Sequence, residues 1–105
     1  MATAQIPRTK IDPVTADSRH YTVEFENEKV RVVRIKYGAR EKSVMHAHPE
    51  SISVFLKDGK ARFAYPDGKT EEIEAKAGQV MHMEAFEHDP ENLGDAFELI
   101  QIELK

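Results

Sequence analysis

Five histidines and no cysteine set the chemistry open to this chain. Without thiols there are no disulfides, thiolate metal sites or cysteine nucleophiles. The histidines are His20, His46, His48, His82 and His88. Two of them form His46-Ala47-His48. In an extended strand, residues two apart face the same way, so these imidazoles can converge on one ion. Imidazole suits zinc, copper, iron and nickel. A third ligand has to come from elsewhere in the chain, and spacing alone does not choose between His82 and His88. The alternative is a surface pair ahead of the Pro49-Glu50 turn.

The elements that position these residues read as strands. Tyr21, Val23 and Phe25 alternate with Thr22, Glu24 and Glu26, the period of a strand with one buried face. Val30–Tyr37 is a second run, and a slip in phase between Val32 and Val33 predicts a bulge there. Further short runs follow over 42–48, 51–56, 60–65, 70–73, 79–84, 88–92 and 97–103. Asp58-Gly59, Pro66-Asp67-Gly68, Ala77-Gly78 and Gly94-Asp95 separate them, and the two Asp-Gly pairs are hairpin signals. No segment carries a helical period of useful length. Many short strands in a small chain predict an all-β fold, a small antiparallel barrel that closes its own edges. Residues 1–19, with Pro7 and Pro13, read as an N-terminal arm, disordered or packed on a partner; the barrel domain is 20–105.

Composition narrows the function. The chain has 105 residues, enough for one domain. Fifteen basic against nineteen acidic residues leave a net charge of −4, which argues against a nucleic-acid partner. No apolar stretch approaches the ~20 residues of a membrane span. No secretory signal is legible at the N-terminus, so the expected location is cytoplasmic. Phe25, Phe55, Phe63 and Phe97 read as core, and His20 as a surface residue at the start of the first strand. Met45 and Met83 flank histidines and are expected outside the lumen. No phosphate loop, nucleophile elbow or spaced carboxylate pair is present.

Taken together, the chain resembles a cupin over about residues 20–105. Cupins are small antiparallel β-barrels, jelly-roll-like double-stranded β-helices, with two motifs around a metal. Gly38, His46, His48 and Gly59 match the first motif; Gly78, His88 and Asn92 match the second. The resemblance therefore implies His46, His48 and His88 as metal ligands. It also shows departures. The usual glutamate slot falls on Ile52, with Glu50 out of phase nearby. Glu84 replaces the usual proline, Phe86 the usual glycine, and His82 a frequent aromatic.

A three-histidine set leaves the ion its full charge and open coordination positions. It looks like the iron(II) sites of cysteine dioxygenase-like and β-diketone-cleaving cupins. Iron(II) is therefore the favoured ion, with zinc, nickel, manganese and copper remaining open. The function implied is a metal-dependent dioxygenase acting on a small oxygen-bearing organic molecule. The alternatives are a non-catalytic metal- or small-molecule-binding module, and an isomerase or epimerase. For that last case His82 and Glu84 are the candidate catalytic residues. If they point inward they would be a fourth ligand, a proton shuttle or support for a ligand imidazole; otherwise they mark a wet strand end. Ile52, Val54 and His82 are expected to line the pocket. A homodimer is expected, because a small barrel gains by covering an exposed edge.

Overall fold

Alternation of side chains, more than any strong turn signal, organises this chain. In the computed structural model, which describes residues 11–105, nine strands form. They are β1 (Tyr21–Glu26), β2 (Val30–Tyr37), β3 (His46–His48), β4 (Ser51–Phe55), β5 (Gly59–Ala64), β6 (Thr70–Ala75), β7 (Val80–Met83), β8 (Phe86–Asn92) and β9 (Phe97–Leu104). They build two antiparallel sheets. The five-stranded sheet has the order β1-β2-β9-β4-β7, and the four-stranded sheet the order β3-β8-β5-β6. The architecture is a jelly-roll of facing sheets, so the barrel keeps sheet edges at β1, β7, β3 and β6.

The hydrophobic core lies against the inner face of the larger sheet: Tyr21, Val33, Ile35, Tyr37, Phe97 and Leu99, with Val14 and Phe55 packed against them. Each such burial stabilises by roughly 1.5–3 kcal/mol. The expected aromatic core divides. Phe97 is buried, Phe55 and Phe63 are half-buried, and Phe25 is 55 % exposed on the outside.

Four local expectations need correction. The bulge lies in β1, not in β2: Val23 pairs with Val33 and Phe25 with Val32, which leaves Glu24 as the extra residue. The apparent slip in β2 is apolar side chains on both faces of a regular strand: Val33, Ile35 and Tyr37 are buried inside, and Val30 and Val32 lie in the other phase. Asp58-Gly59 is a crossover between the sheets and not a hairpin, because β4 pairs with β7 and β9 whereas β5 pairs with β6 and β8. Gly59 is needed there for space: a Cβ on it would stand 3.1 Å from the Phe97 ring. The Asp67-Gly68 turn does close the β5–β6 hairpin, with Gly68 at φ +88°. Strand structure over 42–48 shrinks to β3 and one isolated bridge from Lys42 to Glu91.

The fourth correction is a short helix, α1 (Pro13–Ala16), inside the expected arm. Pro13 sits in its first turn, where a missing N–H costs nothing. The Asp12 carboxylate caps it, accepting from the Val14 and Thr15 amides at 3.0 and 3.2 Å. The Ala47 amide donates to the Ile11 carbonyl at 2.8 Å, so this part of the arm lies along the β3 edge of its own chain. The rest of the arm, residues 1–10, is outside the described residues. Among the described residues no helix is long and apolar enough to cross a membrane.

Candidate metal centre

The pairing of β3 with β8 brings the histidines together. His46 stands opposite His88, and His48 opposite Phe86. With period-two alternation, one strand therefore supplies two inward imidazoles and its neighbour supplies the third. Their Nε2 atoms converge: His46 to His48 3.1 Å, His48 to His88 3.1 Å, His88 to His46 3.2 Å. All three residues are buried, with relative exposures of 0, 2 and 4 %.

The ring orientations are set by packing and by one backbone bond. His46 Nδ1 donates to the Val44 carbonyl at 2.7 Å, which leaves its Nε2 with a free lone pair. Tyr21 meets the His46 ring edge-on at 4.8 Å, Phe63 meets His88 at 4.2 Å, and Phe86 packs against both His48 and His88. Burial holds the imidazoles neutral. It pushes the His48 pKa down to about 3, and charge on His46 adds to that effect. His88 is lowered further, by burial first and then by His48 and His46. His46 is lowered by burial, partly offset by the Val44 carbonyl.

Three neutral nitrogens aimed at one point suit a cation. At metal–imidazole bonds of ~2.1 Å, neighbouring ligands of an octahedron stand ~3.0 Å apart and those of a tetrahedron ~3.4 Å. The observed edges are nearer the octahedral face. These residues fit a divalent ion, and the His46/His48/His88 cluster could bind one.

An arrangement of sheets like this one is found in solved structures. A cupin-domain protein from Bordetella pertussis Tohama I superposes with a TM-score of 0.74 at 24 % identity, covering 81 % of this chain and 91 % of that one. The fold is that of a cupin. A cupin superfamily protein from Desulfitobacterium hafniense DCB-2 matches with a TM-score of 0.60 at 16 % identity, covering 94 % of both chains. Fe(II)-HppE, solved with the alternative substrate (S)-1-HPP, matches with a TM-score of 0.60 at 9 % identity; the match covers 80 % of this chain and 48 % of that one. No protein-family model matches the chain, and no curated protein does.

Beside the histidines the two sheets enclose a cavity of about 80 Å³. Phe55, Ile73, Met81, Met83, Phe86 and Leu99 make it mostly apolar, with Ser53 and Gln101 among the polar groups on its wall. The charged residues lining it are Lys60 and Glu91, and both pair outward, with Glu72 and Arg62.

The pocket residues expected from the sequence lie elsewhere. Ile52 pairs across strands with His82 and Ile102, and Val54 with Val80 and Ile100. These side chains are on the outer face of the five-stranded sheet, and Ser51, Ser53 and Phe55 point inward instead. Parity counted from His48 fails because the Pro49-Glu50 turn carries the chain from one sheet to the other. His82 is half-exposed, its Nε2 2.7 Å from Glu50 Oε2, in an exposed cluster with Glu84. Neither His82 nor Glu84 faces the cavity. The break at Glu84-Ala85 separates β7 from β8, so His82 does not share the direction of His88. Met83 consequently lines the cavity, the reverse of its expected place.

His20 is also misplaced by sequence reasoning. It is buried at 3 %, stacked on Tyr37 at 4.1 Å. Its Nδ1 is 2.6 Å from Asp17 Oδ2 and its Nε2 3.0 Å from Glu41 Oε1. Ser43 Oγ donates to the same Asp17 oxygen and lies 3.5 Å from His46 Nδ1. Burial opposes the Asp17 charge, but hydrogen bonds from Ser43 and His20 prevail and hold its carboxyl below the usual range. This cluster ties the start of β1 to the segment that delivers His46. Gln101 and Ser53 were also missed. The only signal for Gln101 is the alternation of β9, which carries apolar residues in both phases.

Proposed function

We propose that this chain is a metal-dependent cupin enzyme. His46, His48 and His88 hold one divalent ion, iron(II) first among the candidates, and the chain acts as a dioxygenase on a small, oxygen-bearing, largely apolar molecule. The observation that carries this reading is the convergence of three buried, neutral Nε2 atoms at 3.1–3.2 Å. The near-octahedral spacing favours iron, manganese or nickel over tetrahedral zinc. When bound, such an ion supplies Lewis acidity and open positions for substrate and dioxygen. The protein's residues orient and exclude. Phe55, Phe86 and Leu99 keep water from the cavity, and among the described residues its one lining cation, Lys60, pairs outward with Glu72, which leaves a free carboxylate or phosphate unpaired there. That Fe(II)-HppE was solved with a substrate on this fold supports the reading.

A binding module without turnover is the second reading. It is favoured by a cavity wall with few acid–base groups. The isomerase reading loses its proposed acid–base pair, because His82 and Glu84 face solvent.

We further propose a homodimer. The outer face of the five-stranded sheet presents Val32, Ile52, Val54, Ile100 and Ile102, with Val80 60 % exposed at its edge. A second copy, packed sheet on sheet, covers it.

The test is elemental analysis of anaerobically prepared, tag-free protein beside His88→Ala. One equivalent of iron, lost in the variant, with dioxygen consumed on a panel of diketones, thiols and phenols, is the expected result. Metal without consumption moves the assignment to the binding module. No metal after reconstitution removes the metal reading.

A further inference from the structure

A histidine that binds metal through Nε2 carries its proton on Nδ1, and that N–H needs an acceptor when it is buried. His46 has the Val44 carbonyl. Among the described residues His48 and His88 have none: their Nδ1 atoms are buried without a hydrogen-bond partner. The same holds for Gln101 Oε1, and all three residues line one cavity. Gln101 is 4 % exposed and stands on β9, between Val33 of β2 and Ser53 of β4. Buried orphans of complementary type, two imidazole nitrogens and one amide oxygen, thus face one lumen. A buried polar atom left unpaired is costly to the fold.

We propose that Gln101 is the positioning residue of the metal centre, its Oε1 accepting from His48 Nδ1–H and so holding Nε2 toward the ion. The proposal rests on the metal reading given above. The last torsion of the carboxamide is broad, so its oxygen is free to turn within the lumen. His48 directly precedes the Pro49-Glu50 turn into β4, whose Ser53 pairs with Gln101, whereas His88 packs on Phe63 of β5 at 4.2 Å. Gln101 therefore belongs to His48 and not to His88. The consequence crosses the barrel: the four-stranded sheet carries the ligands, and the five-stranded sheet orients one of them.

The experiment compares wild type, Gln101→Met, Gln101→Glu and His88→Ala. Methionine keeps the shape and removes the acceptor; glutamate keeps the acceptor. Each protein is titrated with Co(II) followed by its visible absorption. Each is also loaded with Zn(II) for long-range ¹⁵N–¹H imidazole spectra. The expected result is a slowly exchanging His48 Nδ1–H in Zn(II)-loaded wild type that is lost in Gln101→Met. Co(II) affinity should fall about 10–100-fold in Gln101→Met and be retained in Gln101→Glu. Wild-type affinity and an unchanged Nδ1–H in Gln101→Met would overturn the proposal. So would a His48 ring protonated on Nε2 in the loaded wild type, which holds even if Gln101→Met fails to fold. Failure of the metal reading looks different: wild type takes up no Co(II), or His88→Ala binds it equally well, and the proposal falls with it.

Discussion

The four-stranded sheet supplies His46, His48 and His88 to the lumen, while the five-stranded sheet supplies most of the hydrophobic core and the polar pair Ser53 and Gln101. Their outer faces are just as different. Lys60, Arg62 and Glu72 leave the smaller sheet covered in exposed, mutually paired charge, with Glu74 exposed beside them. The larger sheet turns out Val32, Ile52, Val54, Ile100 and Ile102, all half-buried in the single chain. Both sheets obey one period of two. What differs is what lies on each side. A sheet with polar chemistry inside can face water outside, and a sheet with apolar residues in both phases is built to be covered twice.

Removing one histidine should break this division most severely. His46→Ala is expected to abolish tight metal binding while the circular dichroism of the barrel persists, because the hydrophobic core cluster lies on the other sheet. Unchanged metal content in the purified variant would show that the smaller sheet does not carry the site.

The next effect separates inside from outside on the larger sheet. Phe97→Ala should cost about 3–5 kcal/mol, and Phe25→Ala, at 55 % exposure, less than about 1 kcal/mol. Denaturant melts of the two variants measure the difference directly. Equal costs would mean that Phe25 is buried in the assembled protein.

Ile52→Glu sharpens the comparison further. By sequence it restores the family's missing glutamate ligand; by position it plants a charge on the outer face. The expected outcome is a shift toward monomer in gel filtration at micromolar concentration, with metal affinity unchanged. A tightened metal affinity would place Ile52 in the lumen after all.

The smallest effect is on pH. The His48 pKa is about 3 in the folded chain, against an ordinary value of ~6.5. Below ~6.5 the unfolded chain takes up a proton that the folded one refuses, so metal-free stability falls as pH drops toward 3. Asp17 acts in the same direction. Its lowered carboxyl stabilises the fold above its ordinary pKa, and that contribution is lost as pH falls through the lowered value. The melting temperature of metal-free protein should decline from pH 7 to pH 4.5, and less steeply with Zn(II) present. A flat profile would contradict neutral, buried imidazoles.

The His-x-His pair was legible because side-chain direction within a strand follows local geometry. The number and placing of most strands was legible for the same reason. His88 became a ligand candidate only through the resemblance, since strand spacing says nothing of which strands pair. Direction across a turn was not legible at all. Counting from His48 put Ile52 inside and counting from His88 put His82 inside, yet in each case a turn or break lay between. Gln101 was hidden because Phe97 and Leu99, or Ile100 and Ile102, offer two equally plausible inner faces of β9.

The chain by itself determined an all-β fold, a metal-capable histidine pair and the absence of thiol chemistry, all of which depend on residue type and near neighbours. Only the tertiary structure decided which face of each strand looks inward, that His82 and Glu84 stand in solvent, and that His20 is buried. The reason is physical. Alternation sets directions relative to a strand, but the sheet that a strand joins, and what packs on each side of it, is set by contacts far apart in the chain.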